Sequence, residues 1–224
     1  MTGHVVAPSV IAADFTRLGE ALGAVEPYAG RWHTDVMDGH HVPNLTIGPM
    51  IVEAIARASR LPQDVHLMVT NPDESWEWYA KAGAERIAFH PDQSADAHGL
   101  LTRIRDTGLG AGLAVDPDVG VEEVQPYLDG ADYLIVMSVY PGFSGQRFIP
   151  DALPKLRRLR GLADERGGRP ELHVDGGVNL DTAPLCVAAG ADLIVSASAI
   201  FGAADPAGVA RRLRDLPPRE RSDG

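Results

Sequence analysis

The chain has 224 residues, 45% of them hydrophobic, and a formal net charge of −11; that length suits one large α/β domain with a sizeable core, or two small ones. The acidity disfavours nucleic acid and anionic membrane as partners, and no apolar run is long enough to span a bilayer. Cys186, the single cysteine, cannot form an internal disulfide, and the opening "MTGHVVAPSV" has no basic segment followed by an apolar one; both fit the expectation of a cytoplasmic protein. A small phosphorylated ligand stays open, because backbone N–H groups bind phosphate locally inside acidic proteins.

In chain order, short β-branched apolar runs alternate with helical patterns. Strands are expected at 5–10, 32–37, 64–69, 86–89, 110–115, 133–139, 171–174 and 193–195. Helices are expected near 15–25, 50–58, 72–82, 97–106, 121–127, 151–165, 181–189 and 206–213. In "AGAERI", "DGADYLIV" and "AGADLIV" a glycine stops the helix and the chain turns into the next strand. Eight strand–helix units predict a (β/α)8 barrel, a TIM barrel, as one domain over 1–216, with a frayed polar tail at 217–224. A miscount by one unit would favour an open doubly wound sheet.

The polar residues follow the barrel rule, which places active sites at the C-terminal ends of strands. In "WHTDVMDGHHVPN", residues 32–44, His33, Asp35 and Met37 share one face because strand side chains alternate. In "DVHLMV" the same holds for His66 and Met68; "HVDGG" puts Asp175 at the end of strand seven. Ser9 ends strand one and strand six carries Met137. Two imidazoles and two carboxylates from three strands suit a divalent zinc, iron(II), cobalt or manganese ion better than calcium. Singly, each has a plainer role: strand histidines are usually satisfied core residues, and Asp35 could be a structural acceptor. Their convergence on one end argues for the ion. His4, His98 and His173 read as structural or surface.

Three stretches late in the chain could cradle an anion: "YPGFSGQRF", "DGGVN" and "SASAIFG", the last opening a short helix. Alone, each glycine could simply make a tight turn; together, after strands six to eight, they favour a phosphate. Met37, Met68 and Met137 are core filler or an apolar floor under a polar ligand.

Together "PSVIAADF", "WHTDVMDGHHVPNLTIGP", "DVHLMVTNP", "VMSVYPGFSGQRF", "VDGGVN" and "SASAIF" resemble the ribulose-phosphate 3-epimerase family, in order over nearly the whole chain. The resemblance implies one divalent metal per chain, a homo-oligomer and interconversion of D-ribulose 5-phosphate with D-xylulose 5-phosphate through an enediolate. It makes His33, Asp35, His66 and Asp175 the metal ligands, and Asp35 and Asp175 the proton-transfer pair. Ser9 and His66 would touch substrate, with Met37, Met68 and Met137 lining the reacting centre. The phosphate would rest on Gly142, Phe143, Ser144, Gly145, Gly176, Gly177, Ala197 and Ser198. The chain departs from the family pattern at His41 (for phenylalanine), Ser144 and Ala197 (each for glycine), and in "AVDPDVGVEEV", where Asp116 adds a carboxylate. These departures are expected where a sugar phosphate is read, and they bear on substrate identity more than on reaction type.

Inversion at C3 requires a group on each face of that carbon, and strands two and seven are expected on opposite sides of the barrel axis. The alternatives are a 3-epimerase for another ketose phosphate, such as allulose 6-phosphate, and a non-catalytic sugar-phosphate-binding barrel. A decarboxylase of the orotidine phosphate type would carry lysine where Met37 stands. A Schiff-base aldolase needs a strand lysine, and Lys81 and Lys155 both fall in helical patterns.

Overall fold

The computed structural model describes residues 4–219; of the expected tail, 220–224 lie outside the described residues. Eight parallel strands run β1 (Val5–Pro8), β2 (Trp32–Met37), β3 (Gln63–Met68), β4 (Arg86–Phe89), β5 (Gly110–Val115), β6 (Tyr133–Met137), β7 (Glu171–Asp175) and β8 (Leu193–Ser196). Their order is β1-β8-β7-β6-β5-β4-β3-β2. A single bridge, Ser9 to His33, joins β1 to β2. The result is a nearly closed (β/α)8 barrel, as expected, whose weakest seam passes through two residues singled out for chemistry.

The helices are α1 (Leu18–Val25), α2 (Pro49–Ala58), α3 (Pro72–Lys81), α4 (Ala97–Asp106), α5 (Val121–Val124), α6 (Ala152–Asp164), α7 (Ala183–Ala189), α8 (Ser198–Phe201) and α9 (Pro206–Arg214). Two expected helices are broken. The Asp14 carboxylate accepts from the Thr16 N–H and caps a separate 3-10 turn at Phe15–Arg17, so α1 starts later than 15. Past α5, the turn Gln125–Tyr127 is 3-10, because Pro126 has no N–H to continue the α pattern. No helix among the described residues is long and apolar enough to cross a membrane.

Outward strand residues such as Val36, Leu67, Phe89, Leu113, Leu134 and Ile194 pack under the helices with Leu100, Ile104, Leu156 and Leu159. Inward residues fill the barrel, including Ala88, Ala114, Tyr133, Ile135 and Met137. Both faces are covered, so the strands read as near-continuous apolar runs. At Gly112 a Cβ would sit 2.4 Å from the Tyr133 ring; glycine there lets the tyrosine fill the lower barrel.

Candidate metal centre and ligand cavity

Parallel register sets the site. Asp35 lies beside His66 and Met37 beside Met68 across β2 and β3, while Met137 lies beside Asp175 across β6 and β7. His33 Nε2 is 3.2 Å from Asp35 Oδ1 and 3.6 Å from Asp175 Oδ2. His66 Nδ1 is 3.5 Å and 3.9 Å from the same two oxygens. One donor atom from each of the four residues thus lies within 4.8 Å of the others, and the cluster could hold a metal ion. Strands β2 and β7 are separated by β1 and β8. The expected placement across the axis is therefore corrected: the carboxylates approach from positions three strands apart.

The four groups divide by exposure. His33 and His66 are fully buried, whereas Asp35 and Asp175 also line a cavity of about 320 Å³. The Ser9 hydroxyl donates to Asp35 Oδ2 at 2.5 Å, which leaves Oδ1 facing the histidines. No arginine or lysine lines the cavity among the described residues. Buried charge without a counter-ion is costly, and the titration of the four groups reflects that. Burial works to depress His33, but the Asp35 charge and hydrogen bond, aided by Asp175, lift it to about 9. Burial drives His66 down to about 4, keeping that imidazole neutral. Burial also pushes up Asp35, yet the His33 charge and hydrogen bond, with His66 close by, hold it well below the usual carboxylate range. For Asp175, burial and the Asp35 charge act together and raise it to about 7. Two carboxyls in one site are pushed apart, the arrangement that separates a proton acceptor from a proton carrier.

The cavity floor is Met37, Met68 and Met137; its rim is the loop after β6 and the turns after β7 and β8. Gly142, Phe143, Ser144, Gly145, Gly176, Gly177, Ala197 and Ser198 all line it. The glycines serve different ends. A Cβ on Gly177, at φ +62°, would lie 2.5 Å from the Phe148 nitrogen, so backbone packing alone demands glycine there. Gly145, at φ +81°, has nothing nearer its would-be Cβ than Ser198 Oγ at 3.9 Å; its open side is the cavity itself. The Asn44 amide donates to the Gly142 carbonyl at 2.7 Å, and the Gln146 amide donates to the carbonyls of Tyr140 and Phe143.

Several expectations shift. Ser9 and His66 do not line the cavity: Ser9 holds Asp35, and His66 lies beneath it. Ser144 and Ala197 do face the cavity, but His41 and Asp116 do not; they flank His90, whose ring lies 4.7 Å from His41 and whose Nδ1 is 3.3 Å from Asp116. His41 and Asp116 thus meet at His90 rather than in the cavity wall. His90, Asn44 and Gln146 were not singled out in the sequence. His90 carried one signal: after Arg86 and Ala88 it continues the inward alternation of β4. His4 Nε2 donates to the Leu213 carbonyl, His98 packs on Tyr127, and buried His173 stacks on Tyr133.

A (β/α)8 barrel with buried histidine and aspartate donors under a glycine-rimmed cavity defines a barrel enzyme with a candidate metal centre. The chain belongs to the ribulose-phosphate 3 epimerase family, which it matches over residues 5–201, and is an isomerase-type enzyme. It is 45% identical over 202 residues to the ribulose-phosphate 3-epimerase of Bacillus subtilis, covering 89% of this chain and 93% of that one. Over 208 residues it is 47% identical to ribulose-phosphate 3-epimerase 1 of Cupriavidus necator, covering 91% and 86%. Among solved structures, 3-keto-L-gulonate-6-phosphate decarboxylase from Vibrio cholerae superposes with a TM-score of 0.73 over 96% of this chain and 97% of that one. At 14% identity that likeness concerns the fold alone.

Proposed function

We propose that the chain interconverts D-ribulose 5-phosphate and D-xylulose 5-phosphate by inverting C3, with one divalent ion held by His33, Asp35, His66 and Asp175. The observation that carries this reading is the pair of carboxylates that belong both to the four-donor cluster and to the cavity wall. The donors fit such an ion on chemical grounds. His66 Nδ1 is buried without a hydrogen-bond partner, and two acids share the site with no arginine or lysine in the cavity wall. Two nitrogens and two oxygens suit zinc, iron(II), cobalt or manganese. When bound, the ion supplies Lewis-acid stabilisation of the negative charge that forms as C3 loses its proton.

The residues of the chain do the rest. Asp35 and Asp175 stand on either side of C3; one removes the proton and the other delivers one, with roles exchanged in the reverse direction. Ser9 keeps Asp35 aimed by donating to its second oxygen. Met37, Met68 and Met137 keep water from the floor beneath the enediolate. The phosphate rests on backbone N–H groups of the loops at Gly142–Gly145, Gly176, Gly177, Ala197 and Ser198, because the cavity offers no cationic side chain. Anchoring that end fixes C3 between the two acids.

Lysine chemistry finds no support. Lys81 on α3 pairs with Glu77 at 3.0 Å, and Lys155 on α6 donates to the carbonyls of Asp116 and Pro117. The deciding experiment is a panel of pentulose and hexulose phosphates in deuterated water with metal-reconstituted protein. Fastest conversion of ribulose 5-phosphate, with deuterium entering at C3, is the expected result. Preference for a hexulose phosphate such as allulose 6-phosphate would reassign the substrate. Binding without turnover of any member would leave a non-catalytic sugar-phosphate-binding barrel.

A further inference from the structure

Behind His66 lies a second buried histidine and a carboxylate. His66 Nε2 is 2.9 Å from His90 Nε2, and His90 Nδ1 is 3.3 Å from Asp116 Oδ2. His66 and His90 are both buried, and their rings are nearly parallel at 5.1 Å. His41 packs on His90 at 4.7 Å. Lys155 donates to the backbone carbonyls of Asp116 and Pro117 and so fixes the end of β5 that carries the carboxylate.

We propose that Asp116 and His90 form a positioning chain that selects the ligating tautomer of His66 and strengthens its hold on a metal ion. The proposal rests on the metal-site reading above. Two nitrogens 2.9 Å apart require that one donate and the other accept. An ionised carboxylate only accepts, so beside Asp116 the proton of a neutral His90 belongs on Nδ1. His90 Nε2 then accepts, and His66 must place its own proton on Nε2. That leaves the His66 Nδ1 lone pair bare, and Nδ1 is the atom that faces Asp35 and Asp175. The opposite arrangement would aim a proton from Nδ1 into the cluster and close the ligand. Negative charge at the far end of such a chain also makes the ligating nitrogen a better donor. His33 has no such backing: its Nδ1 is buried without a partner. One of the two imidazoles is therefore built to be held, and the other is not.

The test is metal affinity, measured by competition of Co(II) or Zn(II) with a chromogenic chelator. The proteins are wild type, Asp116→Ala, His90→Phe and the double variant, each with the thermal midpoint of its metal-free form recorded. Loss of an outer partner of a ligating histidine typically weakens metal binding roughly 10- to 100-fold, and that is the loss expected for each single variant. The double variant should bind no more weakly than the worse single one, since both cut the same chain. Asp116→Asn, which keeps an oxygen to accept from Nδ1–H, should bind more tightly than Asp116→Ala. Wild-type affinity in either single variant, or losses that multiply in the double, would overturn the proposal. If wild type itself binds no ion, the metal-site reading fails and takes this one with it. If wild type binds and the variants match it, the reading stands and the positioning chain falls.

Discussion

At the N-terminal end of the barrel interior, Asp64 faces Arg31 at 2.9 Å and Glu171 faces Arg86 at 2.7 Å. At the C-terminal end, Asp35 and Asp175 face two histidines, and the cavity they line has no arginine or lysine. The lower cluster also has a histidine: His173 is stacked on Tyr133, whose ring lies 4.2 Å from the Arg86 guanidinium. Acids and imidazoles are thus common to both ends, and the arginines distinguish them. A guanidinium is a permanent cation that closes an ion pair. Below, each of the two acids has such a partner. Above, the positive charge must come from a protonated His33 or from outside the chain, and Asp175 is pushed up to about 7. The difference teaches that charge balance, more than residue type, separates a structural cluster from a chemical one.

Removing the ion should separate the two ends most. Chelation should abolish turnover while the lower cluster keeps the fold intact, and zinc, iron(II), cobalt or manganese should restore activity. Asp35→Asn and Asp175→Asn should each cost on the order of 10²–10⁴ in rate, the usual worth of one positioned acid–base group. Because both are proposed ligands, the sharper measurement is isotopic. In at least one metal-loaded variant, C3–H exchange with deuterated solvent should continue from one epimer while conversion stalls. Near wild-type conversion in either would point to another acid.

Within the upper end, the comparison predicts that backbone rather than cationic side chains holds the phosphate. Gly145→Asp puts a carboxylate into the cavity at a position with space, although its φ of +81° strains any side chain, so the thermal midpoint is recorded beside the kinetics. KM should rise roughly tenfold or more, a loss of about 1.4 kcal/mol in binding, with metal content unchanged. Steady-state kinetics beside a metal assay would check it; an unchanged KM moves the phosphate elsewhere.

Stability should respond with opposite sign at the two ends. Arg31→Met leaves buried Asp64 short of its cation and should cost about 3 kcal/mol, with kcat unchanged. Asp175→Asn in chelated protein should stabilise. Its carboxyl titrates near 7 when folded against 3.8 when unfolded, so the folded state binds the extra proton between those values. The penalty for ionising it is absent below about pH 4, grows to pH 7 and is complete above. Urea unfolding at pH 8 should show a gain on the order of 1–3 kcal/mol, absent at pH 4. Destabilisation at pH 8 would mean that the upper cluster is balanced like the lower.

Much of this was legible in the sequence, because period-two runs and glycine stops define eight units and strand alternation puts His33 with Asp35 and His66 with Met68. Strand ends shifted by only a residue or two where polar residues join the ladder, as Asp175 does in β7. What escaped is relational. His90 sits in no motif, and its partners come from β3, the residue just past β5 and the loop after β2. Nothing in "GRWH" or "ERIAFH" announces that Arg31 and Arg86 meet acids from β3 and β7. The seam at Ser9 and His33 depends on where the barrel closes, which periodicity does not encode.

The smallest expected effect concerns Glu171, at the edge of the lower cluster. The hydrogen bond from His173 lowers its carboxyl most, burial resists, and the Arg86 charge adds to the pull, leaving it at about 2 against 4.5. A depressed carboxylate contributes stability that is fully present above pH 4.5 and lost as pH falls toward 2. Half of the Glu171 side chain is exposed, so solvent screening holds that contribution to roughly 0.5–1 kcal/mol. Glu171→Gln should therefore lower the urea midpoint slightly and equally from pH 7 down to 4.5. Below that the two proteins should converge, and high salt should narrow the gap at neutral pH. Turnover should not change, because Glu171 lies at the far end of β7 from Asp175. A gap that stayed constant down to pH 3 would show that the lower cluster owes its stability to packing around Tyr133 rather than to its ion pairs.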